Sequence, residues 1–468
     1  MLRRSLLGLS VLTWLCLPGL TAAKSSVVGL KSPTTAASAP TPAKAGKTSV
    51  QGFKVEDPAP IKVAKQSVVG TKPSSNGGSS TSAPATKPKS NGNGGGYADN
   101  IPGGAQPEVK TGTPVAGKEE VKTVGYSKGF FIQTQDGKYR LNINGYSQFQ
   151  LSYDRVKGEN TFGFQVRNIR LTFSGNLATK KLTYKLQMDL AKFKDELLLD
   201  AWTQYRFNNN VEIRVGQQDI PWQRQSIISS SNLEFADRSI ATTEFLNTQA
   251  QDTDKDGKPD KLVKNGRDIG VVVQGTPFKK KLEYNVGFFN GSGTNSTNFN
   301  NSLLYTGRAV WNIRGEAGYE EGDFANTQKV AAYFGASGNY NTRDLSNDKV
   351  TQVGSEAGLK YKGLALQGEF YYRHLKPGDV SLATTNDTGY YAQAGYFVIP
   401  KHLETVVRAS QVFLEGLQND KAEFEAGLNY YVLGQHIKVQ GDYAVLPNNT
   451  KEGVQTSQRF RLKLQTKF

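Results

Sequence analysis

The side chains that could do chemistry in this sequence are arginine and lysine residues that recur at every second position. In the last ten residues, Arg459, Arg461 and Lys463 alternate with aromatic and aliphatic residues. Guanidinium and ammonium groups donate charge-assisted hydrogen bonds, so a row of them can replace the hydration shell of a small anion. A period of two puts the cations on one face of a β-strand and the apolar side chains on the other. The pattern predicts a strand that lies between water and an apolar medium.

The same alternation recurs through most of the chain, and its parity assigns many charged residues to the polar face. The thirteen basic ones are Arg170, Lys185, Arg206, Arg214, Arg308, Arg314, Lys360, Arg373, Arg408, Lys438, Arg459, Arg461 and Lys463. The eleven acidic ones are Asp189, Asp200, Glu212, Asp268, Glu283, Glu356, Glu369, Glu404, Glu423, Glu425 and Asp442. This mixture leaves two interpretations open: the cations line an anion pathway, or they pair with the carboxylates and stiffen the wall.

The elements that would hold these charges are about sixteen alternating segments, separated by turn residues, in 126–468. A closed barrel satisfies every backbone donor and acceptor in lipid without a spanning helix, so we predict an all-β, antiparallel transmembrane barrel. Short connections, as at 178–181 and 208–210, are expected on the periplasmic side. The long connections are expected outside the cell. They are 219–264, 290–302, 316–327 and 376–388.

The first 125 residues have a different composition. Arg3 and Arg4, an apolar run and small residues up to Ala23 are typical of a secretory signal peptide, 1–23. The only cysteine, Cys16, lies inside it, so the mature chain is expected to have no thiol chemistry. Residues 24–125 are basic, rich in Ser, Pro, Gly and Lys, and predicted to be disordered in the periplasm. A repeated Ser-Val-Val-Gly motif there is either low-complexity drift or a docking motif for peptidoglycan.

Two further groups of residues were considered for chemistry. Asp252, Asp254, Asp256 and Asp260 resemble an acidic calcium loop, although position 12 is Val263 rather than the bidentate Glu of an EF-hand. The alternatives are a calcium site and a solvated loop tip. The three histidines lie near strand ends with no serine elbow or metal spacing around them, so we predict that the protein is not an enzyme.

Particular motifs resemble the phosphate-selective porin O/P family. They include Arg167–Gly175, Gly216–Gln225, Arg267–Val271 and the closing strand, and the similarity covers about 140–468. The resemblance implies a sixteen-stranded, trimeric outer-membrane channel with an arginine- and lysine-lined lumen and an infolded third external loop. In this chain that loop would begin after Gln218 and would carry Arg224 and Arg238.

From these observations we expect a passive outer-membrane porin that favours small anions such as phosphate. The candidate pore-lining residues are Arg170, Lys185, Arg206, Arg214, Arg224, Arg238, Arg308, Arg373, Arg408 and Arg461. We expect contacts with outer-membrane lipid and lipopolysaccharide, and a homotrimer. The formal net charge of +16 favours small anions or anionic envelope polymers, and the exported compartment argues against nucleic acid. The alternatives are a non-selective porin and a barrel that tethers the envelope through its basic linker.

Overall fold

The computed structural model describes residues 123–468, except for 193–196, 247, 252–260, 265, 299, 344–345, 416–419 and 451–452. The predicted signal peptide and nearly all of the predicted disordered segment lie outside the described residues. The aspartates of the predicted calcium loop, Asp252, Asp254, Asp256 and Asp260, also lie outside them. These hypotheses stay predictions.

The described chain consists almost entirely of β-strands. The strands are β1 (Val124–Tyr126), β2 (Phe130–Gln133), β3 (Arg140–Val156), β4 (Glu159–Leu177), β5 (Thr179–Asp189), β6 (Leu198–Asn208), β7 (Val211–Asp219), β8 (Thr248–Gln251), β9 (Lys261–Lys264), β10 (Arg267–Gly275), β11 (Leu282–Phe289), β12 (Leu304–Arg314), β13 (Ala331–Thr342), β14 (Lys349–Tyr361), β15 (Leu364–Lys376), β16 (Thr385–Ile399), β17 (Leu403–Phe413), β18 (Lys421–Gln435), β19 (Ile437–Thr450) and β20 (Gly453–Lys467). The short helices are α1 (Arg224–Ile227), α2 (Ile240–Glu244) and α3 (Pro277–Lys280). Within the described residues, no helix is both long enough and apolar enough to cross a bilayer.

Sixteen of the strands, β3–β7 and β10–β20, form a closed antiparallel barrel. Neighbouring strands along the chain pair with each other, β7 pairs with β10, and β20 returns to β3, where Leu462 lies opposite Leu151. Strands β8 and β9 form a separate hairpin. Closure leaves the barrel without an unpaired edge. The predicted all-β barrel and its strand number are therefore confirmed.

The two faces of the barrel wall differ as the alternation predicts. On β20, Phe460 and Leu464 are 39% and 42% exposed, whereas Arg461 and Lys463 are 1% and 0% exposed. Successive side chains of a strand point to opposite faces. In a closed barrel the exposed apolar face is the outer one and the polar face lines the interior. The same two-residue period places arginines, lysines and carboxylates of the other strands inside.

The barrel has two ends, which we call the turn end and the loop end. The turn end carries the C-terminal residue, Phe468, and short connections at Ala178, 209–210 and 362–363. The loop end carries the longer connections 220–266 and 290–303. Short turns are typical of the periplasmic side and longer loops of the external side.

One long connection lies at the turn end. We call residues 315–330, between β12 and β13, the turn-end segment. The carbonyl of Thr327 accepts from Lys362 N–H at 2.8 Å, and the Phe324 ring lies 5.9 Å from Phe397, near the end of β16. The expectation that 316–327 is an external loop is therefore wrong. Antiparallel strands alternate in direction, so the number of strands fixes the end of a connection whatever its length.

The first described residues also lie at the turn end. Strand β2 pairs with Arg140–Ile143 of β3, beyond the point where β20 stops, and the Phe130 ring lies 6.3 Å from that of Phe468. Strand β1 begins at Val124, slightly before the predicted barrel start at residue 126. These two short strands extend the sheet next to the C-terminal residue.

Candidate functional site

The loop-end connection 220–246, which we call the lumen loop, packs against inward-facing side chains of the barrel. Trp222 and Phe245 are buried against Tyr371 of β15, with ring centroids 5.6 and 5.5 Å from it. Phe289 of β11 and Leu304 of β12 belong to the same apolar cluster. Because the inward faces of several strands contribute to this cluster, the lumen loop lies inside the barrel.

Carboxylates of the wall bind the backbone of the lumen loop. The Glu369 carboxylate accepts from the N–H groups of Arg224 and Gln225 at 2.7 and 2.8 Å. The Asp442 carboxylate accepts from Ala236 N–H at 2.9 Å. An irregular loop has backbone donors without strand partners, and buried donors need an acceptor. These wall carboxylates therefore hold the loop in one path.

Lysines of the wall bind the carbonyl groups of the same loop. Lys438 Nζ donates to the carbonyls of Ser231 and Leu233, both at 3.1 Å, and Lys463 Nζ donates to the carbonyl of Ala236 at 3.0 Å. Both lysines are fully buried. Their ammonium groups stabilise the loop backbone and do not face an aqueous path.

Two arginines of the inner wall form a buried ion network on β17–β20. The Arg461 guanidinium contacts Asp442 at 2.6 Å, Asp237 of the lumen loop at 2.8 Å, and Glu425. Arg408 contacts Glu425 as well. Neither guanidinium is exposed to solvent by more than 1%. These charges are satisfied within the protein.

A second buried network lies on β11–β14. Arg308 contacts Glu283 at 2.8 Å and Glu356 at 2.7 Å. Arg224 of the lumen loop lies 3.5 Å from Glu356, and its guanidinium covers the Tyr333 ring at 3.9 Å from the centroid. Breaking such a pair by removing one partner is strongly destabilising because the other charge stays buried.

The lock arginines are five cations that are held in buried ion pairs with carboxylates of the wall formed by β11–β20. They are Arg224, Arg308, Arg373, Arg408 and Arg461. Arg373 is paired with Asp387 at 2.8 Å. Each of the five is at most 10% exposed at its side chain. An anion in the lumen would have to displace a carboxylate to reach any of them.

The wall formed by β4–β7 and β10 is more accessible. Lys185 and Arg267 share Asp200, at 2.7 and 2.9 Å, and their side chains are 12% and 15% exposed. Arg206, paired with Glu212, is 29% exposed. These three cations are therefore partly exposed to solvent, and we call this side of the lumen the accessible wall.

Arg170 and Arg214 lie on the same wall. Both are less exposed than Arg206, and Arg170 contacts Asp189 at 3.2 Å in a buried ion pair. Arg214 Nε donates to the Gln204 side chain at 2.8 Å, and its guanidinium lies over the Trp202 ring at 4.3 Å from the centroid. Both arginines point inward on their strands, as the parity of the sequence indicates.

Arg238 of the lumen loop faces this accessible wall. Its guanidinium donates to the carbonyls of Gln225, Ser226 and Ile228 at 2.8, 3.1 and 2.6 Å. Among the described residues, these hydrogen bonds go only to backbone oxygens. Burial and the positive charge of Arg170 lower the pKa of Arg238 to about 10, so it stays charged at neutral pH.

The positive charges of Arg170, Arg238 and Arg267 influence one another in one region of the lumen. We call these three residues the arginine cluster. The charges of Arg170 and Arg267 lower the pKa of Arg238, and the carboxylate of Asp219 opposes this effect. Arg267 contacts Asp219 at 3.1 Å. Like charges held close together repel one another, and an anion between them would relieve that repulsion.

A β-bulge places one more cation beside the lumen loop. The register of β3 and β4 shifts between Gln148 and Phe149, which leaves Arg167 of β4 without a strand partner. Arg167 contacts Asp237 of the lumen loop, and their side chains are 35% and 33% exposed. Bulges commonly redirect a side chain next to a functional site.

A family model described as phosphate-selective porin O and P matches residues 138–468. The chain belongs to this family. The resemblance seen in the sequence is confirmed, and the family and fold indicate an outer-membrane channel. A search of curated proteins by sequence found no match.

A solved porin structure shows the same fold, and two others align over a similar share of this chain. The anion-selective porin from Comamonas acidovorans aligns over 70% of this chain and 99% of its own, with 11% identity and a TM-score of 0.52. OprB of Pseudomonas putida aligns over 70% of this chain and 94% of its own, with 10% identity and a TM-score of 0.48. DcaP, an outer-membrane channel of Acinetobacter baumannii, aligns over 72% and 99%, with 13% identity and a TM-score of 0.45.

The porin places the ten predicted pore-lining residues in two environments. Arg224, Arg308, Arg373, Arg408 and Arg461 are lock arginines, whereas Arg170, Lys185, Arg206, Arg214 and Arg238 lie on or face the accessible wall. Arg314, also assigned inward by parity, follows a register shift at the end of β12 and is exposed at the turn end.

Arg167, Arg267 and Glu321 belong to this porin's lumen, although the sequence does not predict them there. Arg167 breaks strand parity through the bulge, and Arg267 is the first residue of its strand, where parity selected Asp268 instead. Glu321 lies in the turn-end segment, whose location was mispredicted. The Arg167 and Arg267 motifs were visible as family-like sequence, but their roles depend on contacts with the lumen loop.

Proposed function

We propose that this porin conducts small anions passively across the outer membrane, and that the arginine cluster selects them. The observation that carries the proposal is the environment of Arg238. The charges of Arg170 and Arg267 act on its guanidinium, and its hydrogen bonds within the described residues go only to carbonyl oxygens. Charge-assisted donors at a narrow place can compensate an anion for lost hydration.

The other lumen cations have a different task in this proposal. The lock arginines and the buried lysines hold the lumen loop, and the loop carries Arg238 to the accessible wall. Anion preference then depends on a few groups rather than on the total number of basic residues. In this proposal both sequence interpretations hold, because paired wall cations fix the lumen loop and the arginine cluster adds the anion preference.

The test is the reversal potential of the purified protein in a planar bilayer under a tenfold KCl gradient. A perfectly selective channel would reach the Nernst limit of about 59 mV, with the sign set by the permeant ion. We expect the anion sign for the unmodified protein and a shift toward zero for Arg238→Ala. Arg238→Lys, which keeps the charge and loses the planar fork, should lie between them.

Lys376→Ala is the matched control, because Lys376 is an exposed cation at the loop end of β15. It removes the same formal charge without altering the arginine cluster. Equal reversal potentials for Arg238→Ala and the unmodified protein would contradict the assignment. Added phosphate should reduce the chloride current if phosphate binds at the cluster, and an unchanged current would limit the proposal to other small anions.

We also propose that the apolar outer face contacts outer-membrane lipid and lipopolysaccharide and that the porin is a homotrimer. The exposed aromatic and aliphatic side chains of the outer face support the lipid contact. A homotrimer predicts one complex of three equal subunits after chemical cross-linking in detergent. A monomer under the same conditions would contradict it.

The linker that precedes residue 126 is proposed to lie in the periplasm and to contact peptidoglycan. The position of β1 and β2 at the turn end, beside Phe468, supports a periplasmic approach of the chain. Sedimentation of the full-length protein with purified peptidoglycan tests the contact, with a variant that lacks 24–122 as the control. Equal sedimentation of the two proteins would contradict it.

A further inference from the structure

The turn-end segment reaches far into the barrel and meets the lumen loop there. Glu321 of the segment is buried, with 1% of its surface exposed. Its N–H donates to the carbonyl of Asn232 in the lumen loop at 3.3 Å. One connection thus enters the lumen from each end of the barrel, and the two form direct hydrogen bonds.

The Glu321 carboxylate accepts hydrogen bonds from donors in and next to the lumen loop. It accepts from the Gln225 side chain at 2.8 Å, from Glu234 N–H at 2.7 Å and from the Gln393 side chain of β16 at 3.0 Å. Burying a carboxylate is costly unless its oxygens are satisfied. Here three donors satisfy it, and two of them belong to the lumen loop.

A short chain of hydrogen bonds connects Glu321 to the arginine cluster. Gln225 donates from its side chain to Glu321, and its backbone carbonyl accepts from Arg238 Nε at 2.8 Å. The side-chain oxygen of Gln225 accepts from Ser239 N–H at 2.9 Å. A shift of Gln225 would therefore move both Arg238 and its neighbour in the chain.

A second contact joins the two connections on the other side of Gln225. The Arg224 guanidinium donates to the carbonyl of Gly318 and lies 4.5 Å from the centroid of the Tyr319 ring. The turn-end segment is itself fixed to the wall, because Lys360 Nζ donates to the carbonyl of Glu320 at 2.5 Å and Asp323 accepts from Gly363 N–H at 2.8 Å. The segment thus connects the wall to the lumen loop through hydrogen bonds at both sides.

We propose that Glu321 is a positioning residue for the selectivity site. It holds Gln225, and through it Arg238, at the place where permeating anions pass. The inference rests on the proposed anion channel and adds that selectivity depends on a residue supplied from the turn end. Glu321 itself does not contact the permeating ion in this arrangement.

The first test compares Glu321→Ala with Glu320→Ala in single-channel recordings. Glu320 is the adjacent residue of the same type, and the hydrogen bond that it accepts from Lys360 goes to its backbone carbonyl, which the substitution preserves. We expect Glu321→Ala to shift the reversal potential toward that of Arg238→Ala and to raise the open-channel noise, with Glu320→Ala unchanged. Glu321→Gln, which retains one acceptor oxygen, should restore most of the preference. Identical recordings for Glu321→Ala and Glu320→Ala would overturn the proposal.

A cysteine reporter measures the position of the loop without relying on selectivity. Ser230 lies in the lumen loop and is buried, and the mature chain is predicted to lack cysteine, so Ser230→Cys would be a unique thiol. We expect a small methanethiosulfonate reagent to modify it about tenfold faster when Glu321→Ala is added, which corresponds to about 1.4 kcal/mol. An unchanged rate would refute positioning even in a channel that shows no anion preference.

Glu321→Asp keeps the charge and shortens the side chain by one methylene. It therefore tests whether the carboxylate must extend far enough to contact Gln225 and Glu234. If Glu321→Ala does not assemble, the aspartate variant decides the question. We expect it to shift the reversal potential and the thiol rate in the same directions as alanine, by less. Values equal to those of the unmodified protein in both measurements would count against the positioning role.

Discussion

Replacing Arg461 by Met should destabilise the barrel far more than the same replacement at Arg459. Arg461 contacts Asp442, Asp237 and Glu425, and its side chain is 1% exposed. Methionine fills a similar volume and leaves two buried carboxylates, Asp442 and Glu425, and the partly exposed Asp237 without that cation. Arg459, two residues away on the same strand, is 23% exposed and therefore serves as the control.

The expected cost follows from burial. Breaking a buried ion pair by removing one partner costs about 3–5 kcal/mol, whereas a solvent-accessible pair contributes about 0–1 kcal/mol. We place Arg461→Met in the first range and Arg459→Met near the upper part of the second, because Arg459 is only partly exposed. Equilibrium unfolding by urea in detergent micelles, followed by tryptophan fluorescence, measures both values.

A double-mutant cycle tests whether the loss comes from the ion pair. Asp442→Asn keeps an oxygen for Ala236 N–H and removes the charge that faces Arg461. Residues in direct contact typically show a coupling of about 0.5–3 kcal/mol. A cost for Arg461→Met no greater than that for Arg459→Met, or additive effects of Arg461→Met and Asp442→Asn, would contradict this prediction.

Three further predictions concern other parts of the barrel. Leu462→Arg puts a charge on the outer face near the middle of β20 and should destabilise the protein by about 2–4 kcal/mol. Leu462→Ala is the control, and equal urea midpoints for the two variants would contradict a lipid-facing position. Gly216 has a φ of 126°, and a Cβ there would lie 2.2 Å from the carbonyl oxygen of Ala201. Gly216→Ala should therefore lower the yield of folded barrel, measured by heat-modifiable electrophoretic mobility. A normal yield would contradict this and show that β7 adjusts at no cost. Burial and the neighbouring carboxylates of Glu404 and Glu321 raise the pKa of Glu234 well above its usual range. As pH rises, the unfolded chain therefore releases this proton before the folded protein does, so the free energy of unfolding should fall from about pH 4.3 upward until the folded-state pKa is passed. Glu234→Gln should flatten this decline in urea midpoints, and parallel curves for the two proteins would contradict the prediction.

The sequence predicts the wall of this barrel better than its contents. Period-two alternation on β20 correctly separates Phe460 from Arg461 because a strand has only two faces, and each face meets one environment. Parity also places Arg308 and Arg408 inside. It cannot tell that both are held by carboxylates of neighbouring strands, because pairing depends on register and on rotamers rather than on spacing along one strand.

The lumen loop and the turn-end segment have no period that a sequence can reveal. Their paths are fixed by single contacts between distant residues, such as Glu321 with Gln225 and Arg461 with Asp237. Connection length misplaced 316–327, since a long connection at the turn end has the same composition as an external loop. The bulge at Arg167 likewise arises from the pairing of β3 with β4 and not from a residue that demands it.

The number of charges in the lumen is therefore a poor guide to what passes through it. A buried wall cation is already stabilised by carboxylates or carbonyls, so its field is largely compensated before an ion arrives. Arg238 of the infolded loop differs, because the carbonyls of Gln225, Ser226 and Ile228 satisfy its donors without adding a negative charge. In the proposed function, the many buried ion pairs of this barrel therefore serve selectivity indirectly, by fixing the path of the loop that carries Arg238 to the accessible wall.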